Sequence, residues 1–152
     1  MSVYNTKNLK TGYYHVVNKN KLKNEKKVLF YRSGLEKKFM KNCDFSSSTI
    51  EWDYENIVIP YQKLYNIGTK KINHYIIDFW IKKIINGKIK EFLVEIKPYA
   101  FLSPPPYQKR VTKKYLELIE NHSTNKSKWK AASSFCDDKG WEFAIVTEKD
   151  LK

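Results

Sequence analysis

The sequence predicts an α/β sandwich, a central mixed β-sheet with helices packed against it, and three observations carry that expectation. Two strand-like runs, 74–83 and 89–97, flank Asn86-Gly87, the strongest short-range signal for a two-residue hairpin turn. Apolar residues recur at helical spacing before the hairpin, at Leu35, Phe39 and Cys43, and after it, at Trp129, Ala132, Phe135 and Cys136. A last β-rich run, 141–146, follows the final helical stretch, and mixing both element types in this order is the pattern of a layered domain.

The elements follow in order. Residues 1–27 are polar, basic and Asn-rich with one short apolar patch at 13–17, which reads as a basic N-terminal arm or loosely held edge segment ahead of a single domain over 28–152. With 152 residues the chain can build one sizeable core and has little room for a second. Ser33 is placed to cap the first helix, and Glu36 three residues on completes the spacing of a capping box. After Ser46-Ser47-Ser48, residues 50–61 read as a strand, with Pro60 marking an edge or an end. Residues 62–73 read as a loop. Pro98 closes the second hairpin strand, Pro104-Pro105-Pro106 punctuate a loop, and two helices are expected, at 107–121 and 125–139, with Gly140 at the C′ position of the second.

Composition narrows the partner. Hydrophobic residues make up 41% and aromatics 15%, too apolar for a disordered chain. The formal net charge of +13, from 29 Lys and Arg against 16 Asp and Glu, is spread over most of the chain, and it points to a polyanion, with nucleic acid first. A Lys-rich composition also serves solubility, but a balanced surface would serve it as well. No long apolar run, signal peptide or basic amphipathic helix accompanies the charge, so no membrane role is expected. Cys43 and Cys136 lack zinc-site spacing and read as buried thiols in a reducing compartment, and His15, His74 and His122 are too scattered to form a metal site.

The hairpin carries the candidate chemistry. Counting outward from Asn86-Gly87, Ile85 faces Lys88 and Asp78 falls opposite Glu95. Strand alternation puts Glu95 and Lys97 on one face and Ile96 on the other. Two carboxylates across a ladder have Cβ atoms about 4.5–5.5 Å apart and repel one another, so a cation belongs there. Lys97 is one candidate and a divalent metal the other. Mg²⁺ takes one or two carboxylates plus water and phosphate oxygens, so Asp78 and Glu95 are the candidate ligands, with Mn²⁺ as an alternative ion. Such a site would polarise a phosphodiester and help deprotonate a water, while Lys97 orients that water or stabilises the phosphorane charge. The competing reading is a solvated salt-bridge cluster on a surface hairpin, worth little energy. Glu36 is equally open, as a capping residue or as a third carboxylate at the metal. Lys128 and Lys130, beside Trp129, are candidate DNA-phosphate contacts, as are Arg32 next to Tyr31 and the pair Lys109 and Arg110.

Read as ordered blocks, Y-R-S-G-L-E, W-D-Y-E-N-I-V-I-P-Y, H-Y-I-I-D-F, L-V-E-I-K-P, K-W-K-A-A-S-S-F-C and G-W-E-F-A-I-V-T-E, the chain resembles the head completion nucleases of T-even-type tailed phages. Similar blocks occur in transposase endonuclease subunits of the PD-(D/E)XK superfamily. The resemblance spans residues 31–151 and implies a PD-(D/E)XK nuclease-like sandwich with a catalytic hairpin. It implies Glu36 as the helix-borne acidic residue, Asp78 and Glu95 as metal ligands and Lys97 as the catalytic lysine. Ile77 stands where a Pro often precedes the Asp, and 99–102 is apolar where relatives can carry Gln or Thr. By resemblance the partners are double-stranded DNA and phage portal or neck proteins, and the setting is the host cytoplasm during assembly or the virion neck. A non-catalytic DNA-binding plug of the neck, and a transposase or restriction-type endonuclease subunit, are the alternatives.

Overall fold

A computed structural model of the chain describes residues 10–151. Strands β1 (Gly12–His15) and β2 (Val28–Tyr31) pair as an antiparallel ribbon and lead into helix α1 (Gly34–Phe45). There follow β3 (Thr49–Tyr54), β4 (Val58–Tyr61), β5 (Asn73–Ile76), β6 (Phe79–Ile85), β7 (Lys88–Ile96), helix α2 (Lys113–Lys139) and β8 (Glu142–Val146). Short 3-10 turns lie at Lys19–Lys21, Leu64–Asn66 and Tyr99–Leu102. The central sheet has the order β3-β6-β7-β8, antiparallel except for β8, which runs parallel to β7. It is the expected mixed sheet.

The hairpin forms as its turn residues dictate. Asn86 and Gly87 both take positive φ, 52° and 76°, the requirement of a type I′ turn. The register from Ile85↔Lys88 to Phe79↔Val94 is the one counted from the sequence. Alternation then sorts the side chains onto two cores. Phe79, Ile81, Val94 and Ile96 pack with Phe39, Met40 and Cys43 of α1; Trp80 and Leu93 pack on the opposite side with Ala132 and Cys136 of α2. The sheet is thus sandwiched between the two helices.

Three expectations are corrected. The strands expected at 50–61 and 74–83 each break. Glu55 adopts φ 49°, and β4 and β5 leave the main sheet as a separate ribbon. Both segments turn at one place, so the backbone stays paired across the bend: Ile77 N–H donates to Ile57 O at 3.1 Å and Glu55 N–H to Asp78 O at 2.9 Å. The two helices expected at 107–121 and 125–139 are one, beginning at Lys113 and capped by Thr112, whose side chain accepts from Tyr115 N–H. The gap between the expected helices, His122-Ser123-Thr124, holds neither Gly nor Pro, and no such residue costs a helix more than about 1 kcal/mol.

The third correction concerns the expected arm. Within residues 10–27, Tyr14, Val16 and Leu22 are buried in the α1-side core. Asp44 of α1 accepts from Tyr14 Oη at 2.6 Å and from the backbone N–H groups of Val17 and Asn18, both at 2.8 Å. Lys and Asn dominate the composition there and mask the alternation that puts Tyr14 and Val16 on one face. The part of the arm at 1–9 lies outside the described residues.

Candidate active site

The bend between β5 and β6 positions the acidic pair. Asp78 sits one residue before the first rung of the β6–β7 ladder, and its Oδ2 accepts a hydrogen bond from Ile96 N–H at 2.8 Å. Glu95 lies on β7 facing the α2 side, as Leu93 does, while its neighbours Val94 and Ile96 enter the α1-side core. Its Oε2 accepts from Tyr75 Oη at 2.5 Å, and its Oε1 lies 4.0 Å from Lys97 Nζ. The two carboxyl groups are close enough for the charge of Glu95 to act on Asp78. The structure therefore brings Asp78, Glu95 and Lys97 together.

Burial makes this pair electrostatically costly. Glu95 is only 7% exposed. Desolvation first, and then the charge of Glu95, push the Asp78 carboxyl up to about 8. Burial also raises Glu95, against the opposing hydrogen bond from Tyr75 and the charge of Lys97. Two acids in this position share a proton until a cation arrives.

Glu36 takes part in the start of α1 without closing the reciprocal bond of a capping box. As the third residue of α1 it donates its N–H to Ser33 Oγ at 3.1 Å, so Ser33 is the N-cap. Its carboxylate reaches past the cap to accept from Arg32 N–H at 2.9 Å, and it also accepts from Tyr54 Oη at 2.8 Å. It is buried, and its charge contributes to raising Asp78. Helix α1 thus delivers a third carboxylate to the neighbourhood of the pair.

An open cleft of about 450 Å³ adjoins these groups, with Arg32, Glu36, Lys97 and Lys128 among its lining residues. Lys128 is half-buried, with its ammonium over the rings of Tyr61 (5.9 Å) and Tyr75 (5.5 Å). Burial, followed by the charge of Lys97, holds it below the ordinary lysine range. Arg32 stands at the mouth, 3.5 Å from Glu55. Lys130 is exposed on α2 two residues beyond Lys128 and so points elsewhere, and Lys109 and Arg110 lie on the exposed stretch before α2; none of the three lines this cleft. Sequence reasoning missed Tyr54 and Tyr75, which orient Glu36 and Glu95. Their signal was available: a phenol in an apolar strand run must find a buried partner.

The donor set decides what cation fits. Among the described residues no group of three or more His, Cys, Asp or Glu is arranged to hold a metal. Two adjoining carboxylates, one buried and one partly buried, with an open cleft beside them match Mg²⁺, which keeps several waters and takes its remaining ligands from phosphate.

A mixed sheet sandwiched by two helices, with an acidic pair and a lysine at the end of its central hairpin, defines a class, and comparison with known proteins gives the same one. Residues 46–148, more than half of the chain, match the TnsA-like endonuclease N-terminal family. The chain belongs to that family, which implies a restriction-endonuclease-like fold and a nuclease activity. It is also 35% identical over 139 residues to the head completion nuclease of Enterobacteria phage T4, covering 89% of each chain. Asp78, Glu95, Lys97 and Lys128 fall within the family match, and Glu36 precedes it.

Proposed function

We propose that this protein is a Mg²⁺-dependent DNA nuclease that hydrolyses phosphodiester bonds during phage head completion, processing packaged DNA so that head and tail can join. The observation that carries the chemistry is the carboxyl pair of partly buried Asp78 and buried Glu95, with Lys97 Nζ 4.0 Å from Glu95. The phage setting is supported by a relative whose similarity runs over 89% of both chains.

In this reading Asp78 and Glu95 hold Mg²⁺, or Mn²⁺ in its place. When bound, such an ion supplies Lewis acidity toward the scissile phosphate and a more acidic water. Tyr75 fixes Oε2 of Glu95, leaving Oε1 on the side of Lys97. Lys97 lines the cleft and donates to the attacking water or to a phosphate oxygen, where its charge stabilises the negative charge that develops. Glu36 completes the catalytic set, held in place by Arg32 N–H and Tyr54 Oη. Arg32 and Lys128 grip phosphates at the cleft, while Lys109, Arg110 and Lys130 contact the backbone of double-stranded DNA further out. Binding through these groups is salt-sensitive, because each neutralised phosphate releases counterions.

Portal or neck proteins are the protein partners in this reading. The place of action is the host cytoplasm during assembly, with retention in the virion neck as the later state. No helix among the described residues is long and apolar enough to cross a membrane.

The test is cleavage of linear and closed circular DNA by the purified protein, with Mg²⁺ and with chelator. Mg²⁺-dependent cleavage is expected, with Lys97→Ala lowering the rate by about 10²–10³-fold; the circular substrate reports internal cutting. Cleavage that survives chelation, or full activity in Lys97→Ala, contradicts the proposal.

A further inference from the structure

One wall of the cleft is a single face of α2. Thr124, Asn125 and Lys128 lie three, four and seven residues on from Asn121, so the four side chains share one face of the helix, and all four line the cleft. None of these side chains makes a hydrogen bond or ion pair among the described residues. Leu35 and Pro98 supply apolar surface in the same cleft. The volume, about 450 Å³, lies in the range of sites that enclose one small organic molecule, roughly 300–1,000 Å³.

Two free amides and a cation in one row, with apolar surface from α1 and the end of β7 in the same cleft, match the edge, phosphate and face of a nucleotide. The cationic end adjoins the cutting centre, because Lys128 lies over the ring of Tyr75, and Tyr75 is bonded to Glu95. We infer that this cleft receives one unstacked nucleotide of the strand being cut, with its base against Leu35 and Pro98, its edge on Asn121 and Asn125, and its phosphate on Lys128. The inference rests on the nuclease reading and adds a substrate class to it. Amides reach the pairing edge of a base only when the base is out of the duplex, so the favoured substrate is DNA with an unpaired or easily unpaired nucleotide beside the scissile phosphate.

The experiment uses the full chain with Mg²⁺ and oligonucleotide duplexes whose cut position has been mapped. Each nucleotide flanking the cut is presented in turn as a matched base, a mismatched base or an abasic residue. Wild-type protein is expected to cut the mismatched duplex about tenfold faster than the matched one, and the abasic duplex about tenfold slower than the mismatched one, since unpairing costs least at a mismatch and the pocket reads the base. The double variant Asn121→Leu with Asn125→Leu should lose both ratios; if it does not fold, Asn125→Ala carries the same comparison. Equal rates on all three duplexes, or unchanged ratios in the variants, overturn the subsite alone. Absence of any metal-dependent cleavage by wild type overturns the nuclease reading and the subsite with it.

Discussion

Two aspartates of this protein, Asp44 and Asp78, stand in opposite electrostatic settings. Asp44 is fully buried, and burial works against its charge. Tyr14 Oη and the N–H groups of Val17 and Asn18 outweigh that cost, so its carboxyl is held below the ordinary range. Asp78 accepts from one backbone N–H and faces a second carboxyl, and it is pushed up to about 8 by burial and by Glu95. A satisfied carboxylate fastens one part of the chain to another. An under-satisfied pair is destabilising until a ligand compensates it, and that supports the proposal of a site there.

The largest expected contrast is in activity. Asp78→Asn and Glu95→Gln should each lower Mg²⁺-dependent cleavage by about 10³-fold or more, with circular dichroism showing an intact fold. Asp44→Ala should do the reverse. Three donors lose their acceptor in a buried position, and stability measured by urea denaturation should fall by about 3 kcal/mol, with cleavage preserved at temperatures where the protein remains folded. If Asp44→Ala proves as stable as wild type, the division between a fastening and a functional aspartate fails.

The pH dependence of stability sharpens the comparison. Asp78 has a folded pKa of about 8, above its unfolded value of about 3.9. The folded state therefore holds the extra proton between those limits. The stability Asp78 contributes is full below about 4 and is lost as the pH rises through about 8. For Asp44, lowered in the folded state, the contribution is present above about 4 and is lost as the pH falls through its folded pKa. Denaturation of metal-free protein across this range should show the Asp78 decline in wild type and a flatter profile in Asp78→Asn; an unchanged slope assigns the decline to other groups.

A smaller effect is expected from Tyr75→Phe. Removing the hydroxyl that holds Glu95 Oε2 should weaken Mg²⁺ activation by about tenfold, the scale on which groups orienting a ligand act. The readout is the Mg²⁺ concentration needed for half-maximal cleavage. Restored half-maximal activity at wild-type Mg²⁺ would show that Tyr75 packs without orienting.

Much of this was legible because local signals and tertiary structure agree. Asn86-Gly87 set the hairpin and its register, Ser33 and Gly140 mark helix ends, and the register led to Asp78 and Glu95 as neighbours. The breaks at Glu55 and at Ile77–Asp78 were not legible, since a run of apolar and aromatic residues looks the same whether it stays in one sheet or moves to another. Nor was the packing of Tyr14, Val16 and Leu22, hidden among Lys and Asn. The continuous α2 was also missed, and with it the row from Asn121 to Lys128, because propensity read as a loop what tertiary packing holds as a helix.

The most direct measurement is the initial rate of Mg²⁺-dependent DNA cleavage by wild type, Asp78→Asn and Asp44→Asn, each shown to be folded at the assay temperature. The account predicts a wild-type rate that chelator abolishes, an Asp44→Asn rate close to wild type, and none detectable for Asp78→Asn. A folded Asp78→Asn protein that cleaves at the wild-type rate would contradict it.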